Sequence, residues 1–338
     1  MSYSFKTSRK LQAILLATAL SSSVTVFAQQ KETIAKPSEM VGALHSAFGK
    51  HPGARAVHAK GIILEGTFTP TPEARTLTTA VHFKQKQVPV IVRFSDFTGI
   101  PDISDLNGLS NPRGLAIKFL LPDGQSTDIV SHSFDGFPVA TTDEFRTLLL
   151  AIGTSGADAP KPTDLDKFLG THPVAVTFLT TQKAPSVSFG TLDYFGVNAF
   201  EFTNKKGEKH FIRYQFIPES GEQFLTADEL KTKDKDYLNT EIKQRIATQT
   251  IKYKLYAQVA ESGDPVTNPS IAWPVSRKKV LLGTIEIKKL ADNSVAEDKK
   301  LFFIPNNIPT GIAVADQMLS DRSKAYPISV AERQQAQN

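Results

Sequence analysis

Arg55–Gly61 reads RAVHAKG, and the apolar run Ile62–Leu64 follows it directly. The apolar run predicts a β-strand, so His58 lies at the start of a regular element. A histidine titrates near neutral pH and can accept and return a proton, and an arginine three residues upstream would keep the imidazole neutral by charge repulsion. This stretch therefore predicts an acid/base site, with a hydrogen-bonded core histidine as the structural alternative.

A second informative stretch is Asp316–Pro327, which reads DQMLSDRSKAYP. In a helix, Arg322 and Tyr326 share a face because they are four residues apart, so the guanidinium meets the phenol oxygen. A neighbouring cation favours the phenolate, which is a hard anionic ligand for ferric iron. Pro327 is predicted to end the helix or to follow its end closely. Taken alone, the Arg-x-x-x-Tyr spacing is common by chance.

Together the two stretches resemble the haem catalase family, specifically its small, catalase-related peroxidase branch. The resemblance covers roughly residues 40–335. Further motifs follow in family order: FGKHPG at 48–53, VRFS at 92–95, NPRGLAIKF at 111–119 and PNNIPTGI at 305–312. The resemblance implies an α+β fold, an antiparallel β-barrel with added helices that lacks the C-terminal parts of large catalases. It also implies a single haem domain over residues 41–338.

The resemblance further implies a role for each residue around a haem b cofactor. Tyr326 is the iron ligand, and Arg322 holds it as a phenolate. His58 is the acid/base residue and Ser95 fixes its tautomer, although a strand-end serine can also cap backbone groups. Arg55, Arg93 and Arg333 bind the haem propionates, and Val57 narrows access to the haem. The rings of Phe137 and Phe145 flank the haem, with core packing as the alternative for both rings.

One departure from the family pattern concerns His132, which takes the place of an asparagine above the iron. An imidazole can also donate a hydrogen bond to peroxide, but it is bulkier and titratable. The chain also stops shortly after Arg333, which implies a less enclosed haem. Both features favour a peroxidase that reduces hydrogen peroxide or an organic hydroperoxide and oxidises an unidentified electron donor. True catalase activity, hydroperoxide isomerisation, haem carriage and a haem-free ligand-binding barrel are the alternatives.

Composition and the first residues predict where the protein acts. A basic start, an apolar core over 11–20 and the small-residue site Val26–Ala28 predict a cleaved secretion signal at 1–28, and residues 29–40 a flexible lead-in. We therefore expect a periplasmic monomer or homodimer without a membrane span after cleavage. Of the 39 basic residues three lie in the signal, which leaves 36 against 34 acidic ones, so the charge makes no case for nucleic-acid binding. The absence of cysteine excludes disulfides, thiolate haem ligation and a thiol peroxidase.

The apolar patterns predict regular elements between the two stretches. We expect helices over 38–48 and 142–152, and a helical stretch through 227–259. Strands are predicted over 88–94, 115–120, 211–216 and 280–287.

Overall fold

The computed structural model describes residues 35–336. The predicted secretion signal at 1–28 and residues 29–34 of the predicted lead-in lie outside the described residues. The first helix, α1, spans Pro37–Phe48, so residues 37–40 belong to a helix and not to a flexible segment. Pro37 occupies the first turn, where its missing N–H costs nothing, and the Glu39 carboxylate accepts a hydrogen bond from the Lys36 N–H (3.1 Å).

Within this part of the chain, nine strands form one antiparallel sheet, and eight of them close into a barrel. They are β1 Gly61–Pro70, β2 Val88–Ser95, β3 Gly114–Leu120, β4 Ser126–His132, β5 Tyr194–Thr203, β6 Lys209–Pro218, β7 Ile251–Val259, β8 Lys279–Leu290 and β9 Ile312–Val314. Their order is β4-β3-β2-β1-β8-β7-β6-β5-β9. A further pairing of His132 with Phe195 joins β4 to β5 and closes the barrel.

The helices lie around this barrel. After α1 they are α2 Ala74–Leu77, α3 Thr142–Thr154, α4 Asp164–Leu169, α5 Pro173–Thr180, α6 Ala227–Lys231, α7 Tyr237–Thr248, α8 Ser294–Lys300 and α9 Gln317–Gln335. α1 packs against both α3 and α9, which builds a helical layer on one outer side of the barrel. Among the described residues, no helix combines the length and apolarity needed to cross a bilayer.

The interior of the barrel is filled with buried apolar side chains, many of them aromatic. Successive residues of a strand point to opposite sides, and on β2 Val92 and Phe94 are buried in this core. Arg93 and Ser95 therefore point outward, toward the helical layer, where both line a cavity. The site consequently lies outside the barrel rather than within it.

The α+β architecture predicted from the sequence, an antiparallel barrel with added helices, is confirmed. The four predicted strands coincide with β2, β3, β6 and β8. The helical prediction through 259 is wrong at its end, because residues 251–259 form β7. Ile251, Tyr253 and Leu255 are buried while Lys252 is exposed, which is the two-residue period of a strand.

The prediction that Pro327 ends or closely follows the last helix is also wrong, since α9 runs through this residue to Gln335. Proline removes one backbone hydrogen bond from a helix interior. Hydrogen bonds of residues after Pro327 hold the last part of α9 in place. The buried Arg333 donates hydrogen bonds to the carbonyls of Lys299 and Leu301 (2.9 Å each), and Ser329 Oγ accepts one from the Ala56 N–H (3.3 Å). Tertiary packing thus outweighs the local preference for termination.

Candidate functional site

A cavity lies between the outer face of β2, β3 and β4 and the helices α1, α3 and α9. It contains about 1260 Å³ free of protein atoms, part of it open to solvent. Every predicted site residue lines it: Arg55, Val57, His58, Arg93, Ser95, His132, Phe145, Arg322, Tyr326 and Arg333.

On one side of the cavity, α9 carries the phenol of Tyr326. Arg322 lies one turn earlier and donates a hydrogen bond to the phenol oxygen (3.1 Å), as the helical spacing predicts. Its other terminal nitrogen donates to Asn198 Oδ1 (2.8 Å), and Asn198 Nδ2 donates to Asp316 Oδ2 (2.7 Å). Asn198 and Asp316 thus hold the guanidinium of Arg322 against the phenol oxygen of Tyr326.

Sequence reasoning missed Asn198 and Asp316. Asp316 caps the start of α9 by accepting a hydrogen bond from the Met318 N–H (2.8 Å). Asn198 belongs to β5, and 124 positions separate it from Arg322. No local spacing can report such a contact.

Facing the phenol, His58 is held at the other wall of the cavity. Its backbone has a positive φ of 56°, which is strained for a non-glycine residue. Its N–H donates to the Phe97 carbonyl (2.8 Å), and its Nδ1 lies 3.0 Å from Ser95 Oγ. These contacts fix the ring and leave Nε2 for a molecule in the cavity.

Gly114 allows the pairing of Ser95 with His58. A Cβ atom at position 114 would lie 2.5 Å from Ser95 Oγ and 2.7 Å from His58 Nδ1. Both distances are far shorter than van der Waals contact. The missing side chain is therefore a geometric requirement of the site, and it accounts for the glycine within the NPRGLAIKF motif.

His58 is neutral at physiological pH. Burial is the largest cause that lowers its pKa to about 3, and the charge of Arg93 is the next. The sequence argument assigned this repulsion to Arg55, and that assignment is wrong. After burial, Arg93 lowers the pKa of the imidazole most, followed by His132 and Arg322.

His132 lines the same cavity from the last residue of β4. Burial lowers its pKa to about 3, with Arg322 adding to the effect, so the ring is neutral. Its Nδ1 accepts a weak hydrogen bond from the Phe134 N–H (3.4 Å), which assigns the proton to Nε2. Nε2 is buried without a hydrogen-bond partner among the described residues. An unpartnered donor at a cavity wall is available to a bound molecule.

At one end of the cavity, three arginines surround a single carboxylate, that of Asp298 on α8. Arg55 contacts Asp298 Oδ1 at 2.9 Å, and Arg93 contacts both carboxylate oxygens at 2.5 and 3.1 Å. Arg333 donates to backbone carbonyls beside them, one of which, that of Leu301, also accepts from Arg55 (2.7 Å). Sequence reasoning missed Asp298, which lies in the charged run EDKK at 297–300 and looks solvent-exposed there.

This cluster carries an excess of positive charge. Burial, and then the neighbouring Arg93, place the pKa of Arg55 well below its usual value. Burial alone would raise the pKa of Asp298, but the charges of Arg93 and Arg55 outweigh it and leave that pKa below its ordinary value. Three cations against one anion leave a net charge of about +2, which suits a ligand with two carboxylates.

The side chains thus fit a flat, largely apolar ligand with two acidic groups at one edge. Phe145 packs on Phe137 with their ring centroids 4.9 Å apart, and both rings line the wall. The phenol oxygen of Tyr326 lies on the α9 side of the cavity, while the neutral imidazole of His58 and the unpartnered Nε2–H donor of His132 lie on the barrel side. This geometry is the one expected for a tyrosine-ligated porphyrin.

A match to a family model shows to which protein family the chain belongs. Residues 45–338 match the model described as catalase, which is most of the chain. The chain belongs to the catalase family.

Relatives of this catalase-family chain include two proteins named catalase-related peroxidase. That of Mycolicibacterium paratuberculosis is 32% identical over 301 residues, covering 88% of this chain and 94% of the relative. That of Synechococcus elongatus is 30% identical over 304 residues, covering 88% of both. A catalase of Vibrio vulnificus is 28% identical over 290 residues, and the match covers 80% of this chain but 56% of that protein.

Solved structures agree on the fold. A fungal catalase superposes with a TM-score of 0.74 at 20% identity, over 84% of this chain and 60% of the catalase chain. A bacterial catalase gives a TM-score of 0.72 at 21% identity, over 84% and 58%. The family's barrel with its helical layer is therefore present in this chain.

Proposed function

We propose that this protein is a haem-dependent peroxidase, which reduces hydrogen peroxide or an organic hydroperoxide and oxidises a reducing substrate. The observation that carries the proposal is the Arg322–Tyr326 hydrogen bond on α9, which faces the Ser95–His58 pair across one cavity. The relatives named catalase-related peroxidase support the same reaction class. Tyr326 would bind the iron of haem b, and Arg55, Arg93 and Arg333 would hold its propionates.

Bound haem supplies the iron that binds the peroxide and exchanges electrons with it. The chain's own residues manage the protons. His58 Nε2 accepts the proton of the peroxide and returns it to the departing oxygen, so no separated charge persists in the apolar cavity. Ser95 keeps the imidazole oriented, and Arg322 donates a hydrogen bond to the Tyr326 oxygen.

His132 favours the peroxidase reaction over disproportionation of hydrogen peroxide. The catalase family has an asparagine amide at this position, by the resemblance. The imidazole is bulkier than an amide, and its Nε2 would offer the peroxide one N–H donor where an amide offers two. True catalase activity is the second candidate, because residues 45–338 match the catalase family model. Hydroperoxide isomerisation and haem carriage would use the same haem site.

An absorption spectrum with activity assays tests the proposal. The purified protein should bind haemin with a Soret band, oxidise a dye donor with peroxide and release little oxygen. Tyr326→Phe should lose the tyrosinate spectrum and the dye oxidation, while Tyr256→Phe, on β7 and outside the cavity lining, should keep both. Vigorous oxygen evolution would establish catalase instead, and a Soret band without either activity would establish haem carriage. A protein that binds no haemin would exclude all of these functions.

The compartment and assembly belong to the same proposal. We infer a periplasmic enzyme, because residues 1–28 have the pattern of a cleaved signal. We also infer a monomer or homodimer. Fractionation of the producing cell and a sizing column test the two inferences separately.

A further inference from the structure

A second large space lies on the far side of the arginine cluster. We call it the basic cleft; it is bounded by the loop before β1, by α7 and by α8 with the turn that precedes it. It contains about 2050 Å³ free of protein atoms, part of it open solvent. Arg55 and Arg333 line both this cleft and the cavity of Tyr326 and His58. The two spaces are thus separated by one layer of side chains.

The charge of the basic cleft is positive. The carboxylate of Asp298 forms ion pairs with Arg55 and Arg93. The buried ammonium group of Lys60 forms ion pairs with Asp105 and Asp236 (2.6 and 2.8 Å). Lys243 of α7 and Lys299 of α8 also line the cleft; both are exposed. The ion pairs around the cleft, among residues 35–336, involve Arg55, Lys60 and Arg93 but neither of these two lysines. Their two ammonium groups are therefore available to bind an anionic ligand.

The other walls of the cleft suit a small aromatic ring with hydroxyl groups. Pro101 and Val295 provide apolar surface, and Val295 is 78% exposed. Asn239, Thr240 and Ser294 offer hydrogen-bonding groups. Apolar surface, amide and hydroxyl groups and available ammonium groups together match the parts of a hydroxylated aromatic acid.

We propose that the basic cleft binds the reducing substrate, and that this substrate is an anionic phenol or catechol. The inference rests on the proposed peroxidase function, which requires a donor. A catechol balances the reaction, since one hydroperoxide and one catechol give one alcohol, one water and one ortho-quinone. The O–O bond breaks and takes up the two electrons and two protons that the catechol loses. The carboxylate of the catechol faces Lys243 and Lys299, and its ring lies against Val295.

Two donors that differ in one carboxylate test the cleft: 3,4-dihydroxybenzoate and catechol. In the haem-loaded protein, the double variant K243E/K299E should raise the KM for 3,4-dihydroxybenzoate at least tenfold and change the KM for catechol less than twofold. The kcat at saturating donor should not change. The KM of the unmodified protein for the acid should also rise with salt, since exposed charges are screened. The matched control K205E/K206E makes the same charge change in the exposed turn after β5 and should alter neither KM.

Calorimetric binding of 3,4-dihydroxybenzoate without peroxide separates the cleft from the reaction. Binding that K243E/K299E weakens tenfold, but K205E/K206E does not, supports the cleft even if the peroxidase function fails. Equal effects of the two double variants, equal effects on both donors, or no measurable binding would each overturn the cleft and leave the peroxidase proposal standing.

Discussion

In the proposed reaction, the imidazole of His58 has to be neutral to take a proton from peroxide. Because burial and Arg93 lower its pKa to about 3, the neutral form persists throughout the range in which enzymes are assayed. We predict a peroxide turnover rate that is flat between about pH 5 and 8 and declines only near pH 3. Stopped-flow measurement of the first reaction with peroxide at each pH checks this. A decline centred near the ordinary histidine value, about 6.5, would contradict it.

The variant His58→Gln separates catalysis from haem binding. It should lower the rate with peroxide by roughly 10²–10⁴-fold, the usual contribution of a positioned base, and leave the Soret absorption intact. His51→Gln is the matched control, since His51 bonds only the Phe48 carbonyl and does not line the cavity. A similar loss in both variants would show that His58 acts through the fold alone.

Asp298 compensates the arginine cluster, so Asp298→Asn should destabilise the haem-free protein. We expect a loss of about 1–3 kcal/mol in the free energy of unfolding at pH 7, less than for a fully buried pair because Asp298 is 17% exposed. The pKa of Asp298 is lowered in the folded state, so this stabilisation is present above the unfolded value, about 3.9, and disappears as pH falls through the folded value.

Urea unfolding at pH 7 and pH 3 measures both parts of this prediction. Asp292→Asn serves as the control, because Asp292 is 91% exposed and its pair with Lys289 is a surface ion pair of little energy. If Asp298→Asn costs no more than Asp292→Asn, the carboxylate does not hold the cluster together.

At the scale of elements, the close approach of β3 to β2 sets the distance between Ser95 and His58. Gly114→Ala inserts a Cβ atom where Ser95 Oγ and His58 Nδ1 already meet. We predict at least a tenfold lower rate with peroxide and a haem environment altered in its absorption spectrum. Gly108→Ala is the control, since its Cβ would have no neighbour within 4 Å. An unchanged rate in Gly114→Ala would show that the Ser95 contact is dispensable.

Elements built on local patterns could be predicted from the sequence, and elements decided by distant contacts could not. β2 and β3 are apolar runs bounded by turn residues, and their alternation alone identifies them. β7 follows a polar helix closely, so its two-residue period was hidden in the longer helical pattern. The passage of α9 through Pro327 depends on Arg333 and Ser329, which bind segments near residues 300 and 56. Propensity contains no information on such partners.

The same distinction holds within the site. Arg322 and Tyr326 could be paired from helical spacing, because one turn brings them together. The residues that position the site's arginines, Asn198 beside Arg322 and Asp298 beside Arg93, come from β5 and α8 and have no motif of their own. Sequence resemblance could supply the residues that touch a ligand, while the residues that position them needed the three-dimensional structure.

At the scale of the whole molecule, buried histidines make stability depend on pH. His82 lies among the rings of Phe68, Phe83 and Phe119 in the barrel interior, where burial lowers its pKa to about 3. Its folded pKa is therefore lower than its unfolded value, about 6.5, and the unfolded chain binds the extra proton as pH falls through this range. His82 thus costs stability increasingly below about pH 6.5.

We predict that His82→Phe removes this dependence. Relative to the unmodified protein, the variant should gain about 2 kcal/mol in the free energy of unfolding between pH 8 and pH 5, at 1.36 kcal/mol per pH unit below the unfolded pKa. Urea titrations at the two pH values measure the difference. Phe119→Leu in the same cluster has no titrating group and should cost the same at both. A pH-independent effect of His82→Phe would mean that the ring is protonated or solvated in the folded state.

The two walls of the cavity come from segments far apart along the chain, the barrel side from residues near 58 and the phenol side from α9. Every barrel strand precedes α9 in the sequence, so all of the strands are synthesised before Arg322, Tyr326 and Arg333. Loading of a cofactor must therefore wait until translation has passed α9. A cut before α9 would leave the barrel's backbone pairing intact and separate it from the residues that line the cavity from α9.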